Sequence, residues 1–188
     1  MQDWGFWAGL LLALGLVVGG IVIYNRLIFN RVRVAEAWSG IDVQLKRRAD
    51  LIPALVECVR HYIKHENSTL TAVVAARSRA LELDGATPPQ RAPVESNLGS
   101  DLRNLLVLVE AYPELKADEQ FRSLQRNLVE VEDQIQMARR YYNGAVRELN
   151  VLVESVPSNL LAKVFAFKQA EFFSLSDPAQ AATPKVEV

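Results

Sequence analysis

Residues 121–156 read FRSLQRNLVEVEDQIQMARRYYNGAVRELNVLVESV. Apolar or small side chains recur at Phe121, Leu124, Leu128, Val131, Ile135, Ala138, Tyr142, Ala145, Leu149, Leu152 and Val156, in alternating steps of three and four. The positions between them are mostly polar, among them Arg122, Gln125, Arg126, Glu130, Glu132, Asp133, Arg139 and Glu148. This period belongs to a long α-helix with one buried seam. Burying each large seam side chain contributes roughly 1.5–3 kcal/mol, so the seam demands a partner surface. Asp118 is placed to cap the start, and Pro157-Ser158 closes the end.

Upstream, Val34, Trp38, Ile41, Leu45, Ile52, Leu55, Val59 and Tyr62 mark a second seam close to a seven-residue repeat. Pro53 lies inside it and is expected to kink the helix and free the carbonyl near Ala49. The repeat lapses at Glu66 and Thr69, which puts a break near His65–Ser68. A continuous kinked helix is the alternative. A third apolar face runs through Leu70, Val73, Val74, Ala76, Ala80 and Leu83, and DGATPPQRAP (84–93) reads as a loop. A fourth face carries Leu98, Leu102, Leu105, Val109 and Tyr112. Almost nothing alternates in strand fashion. The fold class is all-α: an N-terminal transmembrane helix followed by an up-and-down four-helix bundle with long antiparallel helices.

The transmembrane assignment rests on Trp4–Ile23, which contains no charged side chain. At ~1.5 Å per residue such a helix spans about 30 Å, the thickness of a bilayer core. No Lys or Arg precedes the run and no Ala-x-Ala site follows it, so it reads as an uncleaved anchor and not a signal peptide. Arg26, Arg31 and Arg33 follow it, which predicts an outside N-terminus and a cytoplasmic body. Trp4 and Trp7 suit the outer interface and Tyr24 the inner one. Gly9, Gly15 and Gly19, with Gly5, give small-xxx-small spacings that permit close helix contact in lipid. The expected organisation is an anchor over 1–24, a bundle over 25–173 and an unstructured tail over 174–188.

Net charge is −1, which excludes a global field for nucleic acid. The single cysteine, Cys58, fits a reducing compartment. Lys46-Arg47-Arg48, with Arg31 and Arg33, forms a basic stretch. It suits either anionic headgroups or acidic side chains of a neighbouring helix, with Glu130, Glu132 and Asp133 as candidates. Phe165, Phe167, Phe172 and Phe173 read first as a cap on an open bundle end and second as a surface for a membrane or a partner groove.

Several blocks resemble the LemA family of bacterial membrane proteins. They are Tyr24-Asn25-Arg26-Leu27, EAWSGIDVQLKRRADLIPALVE (36–57), His65-Glu66, AYPELKA (111–117), Ala138-Arg139, Tyr142-Asn143 and Pro157-Ser158-Asn159. Ala54 stands where that family usually has Asn, and Pro184-Lys185-Val186 leads to Val188 where its members often end on an aromatic. The resemblance implies a single-pass anchor and a four-helix bundle, and no reaction. One branch of the family is linked to magnetosome membranes, which suggests membrane organisation as a theme.

No P-loop, dinucleotide fingerprint, nucleophile elbow or zinc-protease motif is present in the sequence. The nearest approach to a metal site is Glu57, His61 and His65 at i, i+4, i+8, with Cys58 beside them. The paired Glu-x-x-His of di-iron bundles is missing, so no metal or other cofactor is expected. The chain therefore reads as a non-enzymatic scaffold or assembly module on the cytoplasmic face of a bacterial inner membrane. Its expected partners are the lipid bilayer and either further copies of itself or another membrane protein, with no nucleic acid and no small-molecule substrate. A tethered adaptor for a soluble partner is one alternative, and a metal-dependent activity at Glu57/His61/His65 is the other.

Overall fold

A computed structural model describes residues 3–63 and 67–174. Every regular element among them is a helix: α1 (Asp3–Tyr62), α2 (Asn67–Glu82), α3 (Pro88–Val109), α4 (Pro113–Ala117), α5 (Glu119–Glu154) and α6 (Ser158–Val164). The break expected near His65–Ser68 therefore falls between α1 and α2. His65 itself lies outside the described residues, as does the expected tail beyond Ser174.

The chain divides into two compact units, and α1 and α5 supply residues to both. One unit holds the described residues of Trp38–Arg140 together with 172–174. Here α1, α2, α3 and α5 enclose one apolar core, in which Ile52, Val59, Val73, Leu98 and Leu105 are fully or almost fully shielded from solvent. The ion pairs give the directions. Asp42 and Arg48 of α1 meet Arg91 and Glu95 of α3 in ascending order, so those helices run parallel. Arg47 and Arg48 meet Glu130 and Glu132, while Tyr62 meets Asp118, so α5 runs antiparallel to α1. With α2 reversing between α1 and α3, the order is up, down, up, down.

The α5 seam is occupied as its spacing predicts from Phe121 through Leu149, with Val131 and Ile135 wholly buried. It stops short of Val156, which lies past the helix end and is 79% exposed. The start of α3 also differs from the sequence reading. The helix begins at Pro88, inside the stretch expected to be a loop. Proline fits the first turn, where its missing N–H has no intrahelical partner anyway. Thr87 precedes it, and the Gln90 side chain accepts from the Thr87 N–H at 3.1 Å, the back-reaching half of a capping box.

Pro53 sits within α1, and its consequence is met from a neighbouring helix. The Ala49 carbonyl, which an ordinary residue 53 would engage, accepts from Arg77 Nε of α2 at 2.7 Å.

The other unit holds the described residues up to Ala37 with Tyr141–Glu171. The Val156–Pro157 peptide is cis and lies between α5 and α6. After α6, Ala166 adopts φ 54°. The Phe167 N–H bonds the Ala162 carbonyl at 2.8 Å and the Ala166 N–H bonds that of Lys163 at 3.2 Å, which is a Schellman cap. The chain then returns along α5. Asn150 clamps it by donating to the Ala170 carbonyl at 2.9 Å and accepting from the Ala170 N–H at 2.8 Å. The Tyr142 hydroxyl donates to the Glu171 carbonyl at 2.8 Å.

Candidate functional site

Three groupings of polar side chains stand out, and the first is buried. Arg48, on α1, is 1% exposed. Its Nη2 donates to Glu95 Oε2 at 2.6 Å and to the Glu95 carbonyl at 3.1 Å, and its Nη1 donates to Glu132 Oε1 at 2.8 Å. The other Glu95 oxygen accepts from Arg91 Nη2 at 2.9 Å, and Arg91 Nη1 pairs with Asp42. The planar forks of the two arginines share the Glu95 carboxylate and, with Asp42 and Glu132, bridge α1, α3 and α5. Burial alone would lower the Arg48 pKa, but Glu132 and Glu95 outweigh it and hold it above the ordinary value. The void beside Arg91 and Glu95 is about 20 Å³, space for about one water and for no organic substrate.

Of the basic stretch, Arg47 and Arg48 pair with the acidic neighbours Glu130 and Glu132. Glu95 and Arg91 were not singled out in the sequence, yet a signal for them exists. Position 48 falls on the α1 seam between Leu45 and Ile52, and positions 91 and 95 continue the α3 seam upstream of Leu98. A charge at a heptad core position marks a buried partner.

The second grouping centres on Asp118. Its Oδ1 caps α5 by accepting from the Phe121 N–H at 2.8 Å, as its position predicts, and its Oδ2 accepts from the Tyr62 hydroxyl at 2.9 Å. The Cys58 thiol points at Oδ1 from 3.9 Å. The Phe121 N–H, and after it Tyr62, hold the Asp118 carboxyl below its ordinary value. Burial and then the adjacent carboxylate push the Cys58 thiol up, which disfavours a nucleophilic or metal-binding thiolate. Because the Asp118 pKa is depressed on folding, its contribution is whole above the unfolded carboxylate value of ~3.9 and is lost as pH falls through the lower folded value. Asp118→Asn is expected to keep the cap but flatten this part of the acid limb, measured by urea unfolding of the full chain in detergent from pH 6 to pH 3. An acid limb as steep as wild type overturns the assignment.

Glu57 and His61 are exposed on α1, and His61 packs edge-on against Tyr62 with ring centroids 5.3 Å apart. Among the described residues no three His, Cys, Asp or Glu side chains converge in a way that would hold a metal ion.

The third grouping adjoins the apolar run. Trp4 and Trp7 are 86% and 60% exposed. A Cβ built at Gly9, Gly15 or Gly19 meets nothing within 4 Å, so this face of the span is open. Tyr24 packs against Phe165 with ring centroids 4.7 Å apart and against Phe167 at 6.1 Å, and the Arg31 guanidinium lies 5.2 Å over the Phe167 ring. Arg33 pairs with Glu148 at 2.6 Å and donates to the Tyr141 hydroxyl at 3.4 Å. The Tyr141 bond, and next the Glu148 charge, raise the Arg33 pKa. Arg26 and Arg33 line an open groove with Phe29, Asn30, Arg147, Glu148 and Val151. The aromatic cluster therefore divides. Phe173 is buried against Trp38 at 5.3 Å, whereas Phe165 and Phe167 take Tyr24.

The family model described as "LemA family" matches residues 37–188. The chain belongs to the LemA family. The match takes in α2 to α6, the buried ion network and the Asp118 cap. Among curated relatives, "Magnetosome protein MamQ 2" of Paramagnetospirillum magneticum is 24% identical over 174 residues, covering 80% of this chain and 64% of that protein. "Magnetosome protein MamQ" of Magnetospirillum gryphiswaldense is 23% identical over 159 residues, covering 72% and 58%. "Protein LemA" of Metamycoplasma hominis is 25% identical over 155 residues, covering 81% and 69%. The chain spans somewhat less than two thirds of the magnetosome relatives' length. With its long apolar helix, this LemA-family chain is a membrane-associated helical protein.

Proposed function

We propose that this LemA-family chain is a non-enzymatic scaffold or assembly module, held by α1 on the cytoplasmic face of a bacterial inner membrane. The observation that carries the reading is the fate of the buried charges. The terminal guanidinium nitrogens of Arg48 and Arg91 pair with Glu95, Asp42 and Glu132 beside a void of only about 20 Å³, and the two buried Nε atoms are left without a partner. A catalytic centre needs convergent groups around a space that admits substrate. The span presents its whole apolar surface outward, and lipid and neighbouring spans are what can cover it. Relatives named as magnetosome proteins support a role on membranes.

Cross-linking in native membranes is expected to trap a homo-oligomer or one constant partner, and protease added outside intact spheroplasts is expected to leave the body whole. A strictly monomeric, partnerless chain, or a body degraded from outside, overturns the reading. Exchanging residues 1–24 for an unrelated anchor separates a scaffold that works through its span from a tethered adaptor, since only the adaptor keeps its partner complex.

A further inference from the structure

Four large apolar side chains fall within ten residues at the α5–α6 junction and along α6. Val156 is 79% exposed, Leu160 62%, Val164 77% and Phe165 52%. Scattered apolar side chains on a surface need no explanation, but a cluster of this size does. Leu160 and Val164, one turn apart on α6, are exposed, while Ser158 and Ala162, on the other side of the helix, are buried, and the exposed Val156 lies in the turn just before α6. The outward side of α6 is thus apolar and its inward side is packed.

The position of this patch along the anchor can be stated. Tyr24 directly follows Ile23, the last residue of the uncharged run, and the Phe165 ring lies 4.7 Å from the Tyr24 ring. Whatever depth Tyr24 takes at the edge of a bilayer, Phe165 shares it to within a few ångströms. The Schellman cap at Ala166 turns the chain so that Phe167 also reaches Tyr24, and Asn150 pins the segment that follows. The element is fixed in place and is not a loose tail. Its only charged side chains between Val156 and Ala170 are Lys163 and Lys168, both exposed. Exposed acids, Glu154 and Glu171, lie just outside this stretch, Glu154 bonding Gln169, while the apolar residues of the stretch itself are accompanied only by lysines, which suits the boundary between acyl chains and anionic headgroups.

We propose that α6 is a second membrane contact: Val156, Leu160, Val164 and Phe165 enter the headgroup–acyl boundary of the leaflet that holds Tyr24, with Lys163 and Lys168 reaching its anionic headgroups. The occupant of this face is lipid, because the patch is continuous through Tyr24 with the span that lipid already surrounds. This rests on the reading that α1 is embedded.

The test uses the full chain carrying Cys58→Ser, with a single polarity-sensitive fluorophore on Val164→Cys or, separately, on Ile21→Cys within the span. Each protein is reconstituted into vesicles of phosphatidylethanolamine and phosphatidylglycerol containing lipids spin-labelled near the headgroup or near the bilayer centre. The Val164 label is expected to emit blue-shifted relative to water and to be quenched at least twofold by the shallow spin label, and less by the deep one. Lowering the phosphatidylglycerol fraction or raising salt is expected to weaken that quenching. The proposal is overturned if the Ile21 label is quenched while the Val164 label emits as in water. If neither label is quenched, the embedded anchor and the α6 contact fall together. A Val164 label that is wet in these vesicles but shielded in native membranes overturns the proposal in favour of a protein partner. Val164 is mostly exposed, so its replacement removes little packing and folding is expected to survive it.

Discussion

Arg48→Met is expected to destabilise the helical body by about 3–5 kcal/mol, because it breaks a buried pair and leaves Glu95 Oε2 and the Glu95 carbonyl facing a thioether, with Arg91 holding only the other carboxylate oxygen. Urea unfolding of the full chain in detergent, followed by circular dichroism, measures the loss. The cost belongs to the broken pair and not to the absence of a salt bridge as such. Removing both members with Arg48→Met and Glu95→Leu leaves Arg91 with Asp42, and Glu132 at a half-exposed position where water can solvate it. The double variant is therefore expected to regain more than half of the lost stability, since well-packed apolar replacements of buried ion pairs are often neutral or better. Arg48→Lys is expected to behave more like the methionine variant than like wild type, because an ammonium cannot fork between Glu95 and Glu132. A single variant costing under ~1 kcal/mol overturns the account.

The second large effect is conditional on another residue. Arg77→Met is expected to cost about 1–3 kcal/mol, because the Ala49 carbonyl then loses its donor from α2 while Pro53 cannot supply one. In a Pro53→Ala background the new peptide N–H can bond that carbonyl within α1, and the same arginine change is expected to cost under ~1 kcal/mol. The difference between the two costs is the interaction energy of residues 53 and 77, read from a double-mutant cycle. Equal costs in both backgrounds mean that Arg77 stabilises the protein by packing or by its charge, and the link to proline is then wrong.

These examples also show how far the sequence could be read. The apolar seams were legible because burial on a helix repeats with the helix period, and Phe121 to Leu149 follow it. Asp118 was legible as a cap because capping is local. The freed Ala49 carbonyl was legible because proline's missing N–H is a fixed property of the residue. Which side chain would answer that carbonyl was not, since Arg77 comes from another helix and its approach depends on tertiary packing. The ion network was half legible. Glu130 and Glu132 stood out as partners for the basic stretch, but Glu95 and Arg91 lay in or near residues whose prolines suggested a loop. Pro88 instead begins α3, so that Arg91 and Glu95 share one face, four residues apart. Val156 marks the limit of periodicity as a guide. The pattern ran on by one position, but the helix had already ended.

The ionic layer has a consequence for how these helices can align. A seven-residue slide of α1 along α3 would keep every aliphatic position facing another, so leucines and valines alone fix their pairing only modulo one heptad. Such a slide carries Arg48 away from Glu95 and sets its guanidinium among side chains such as Leu98 and Leu102, a cost of several kcal/mol for an unpaired buried charge. The network thereby acts as a vernier mark that distinguishes one register from its near-equivalents. Insertions or deletions in α1 between Asp42 and Pro53 should be tolerated only when α3 and α5 change length in step.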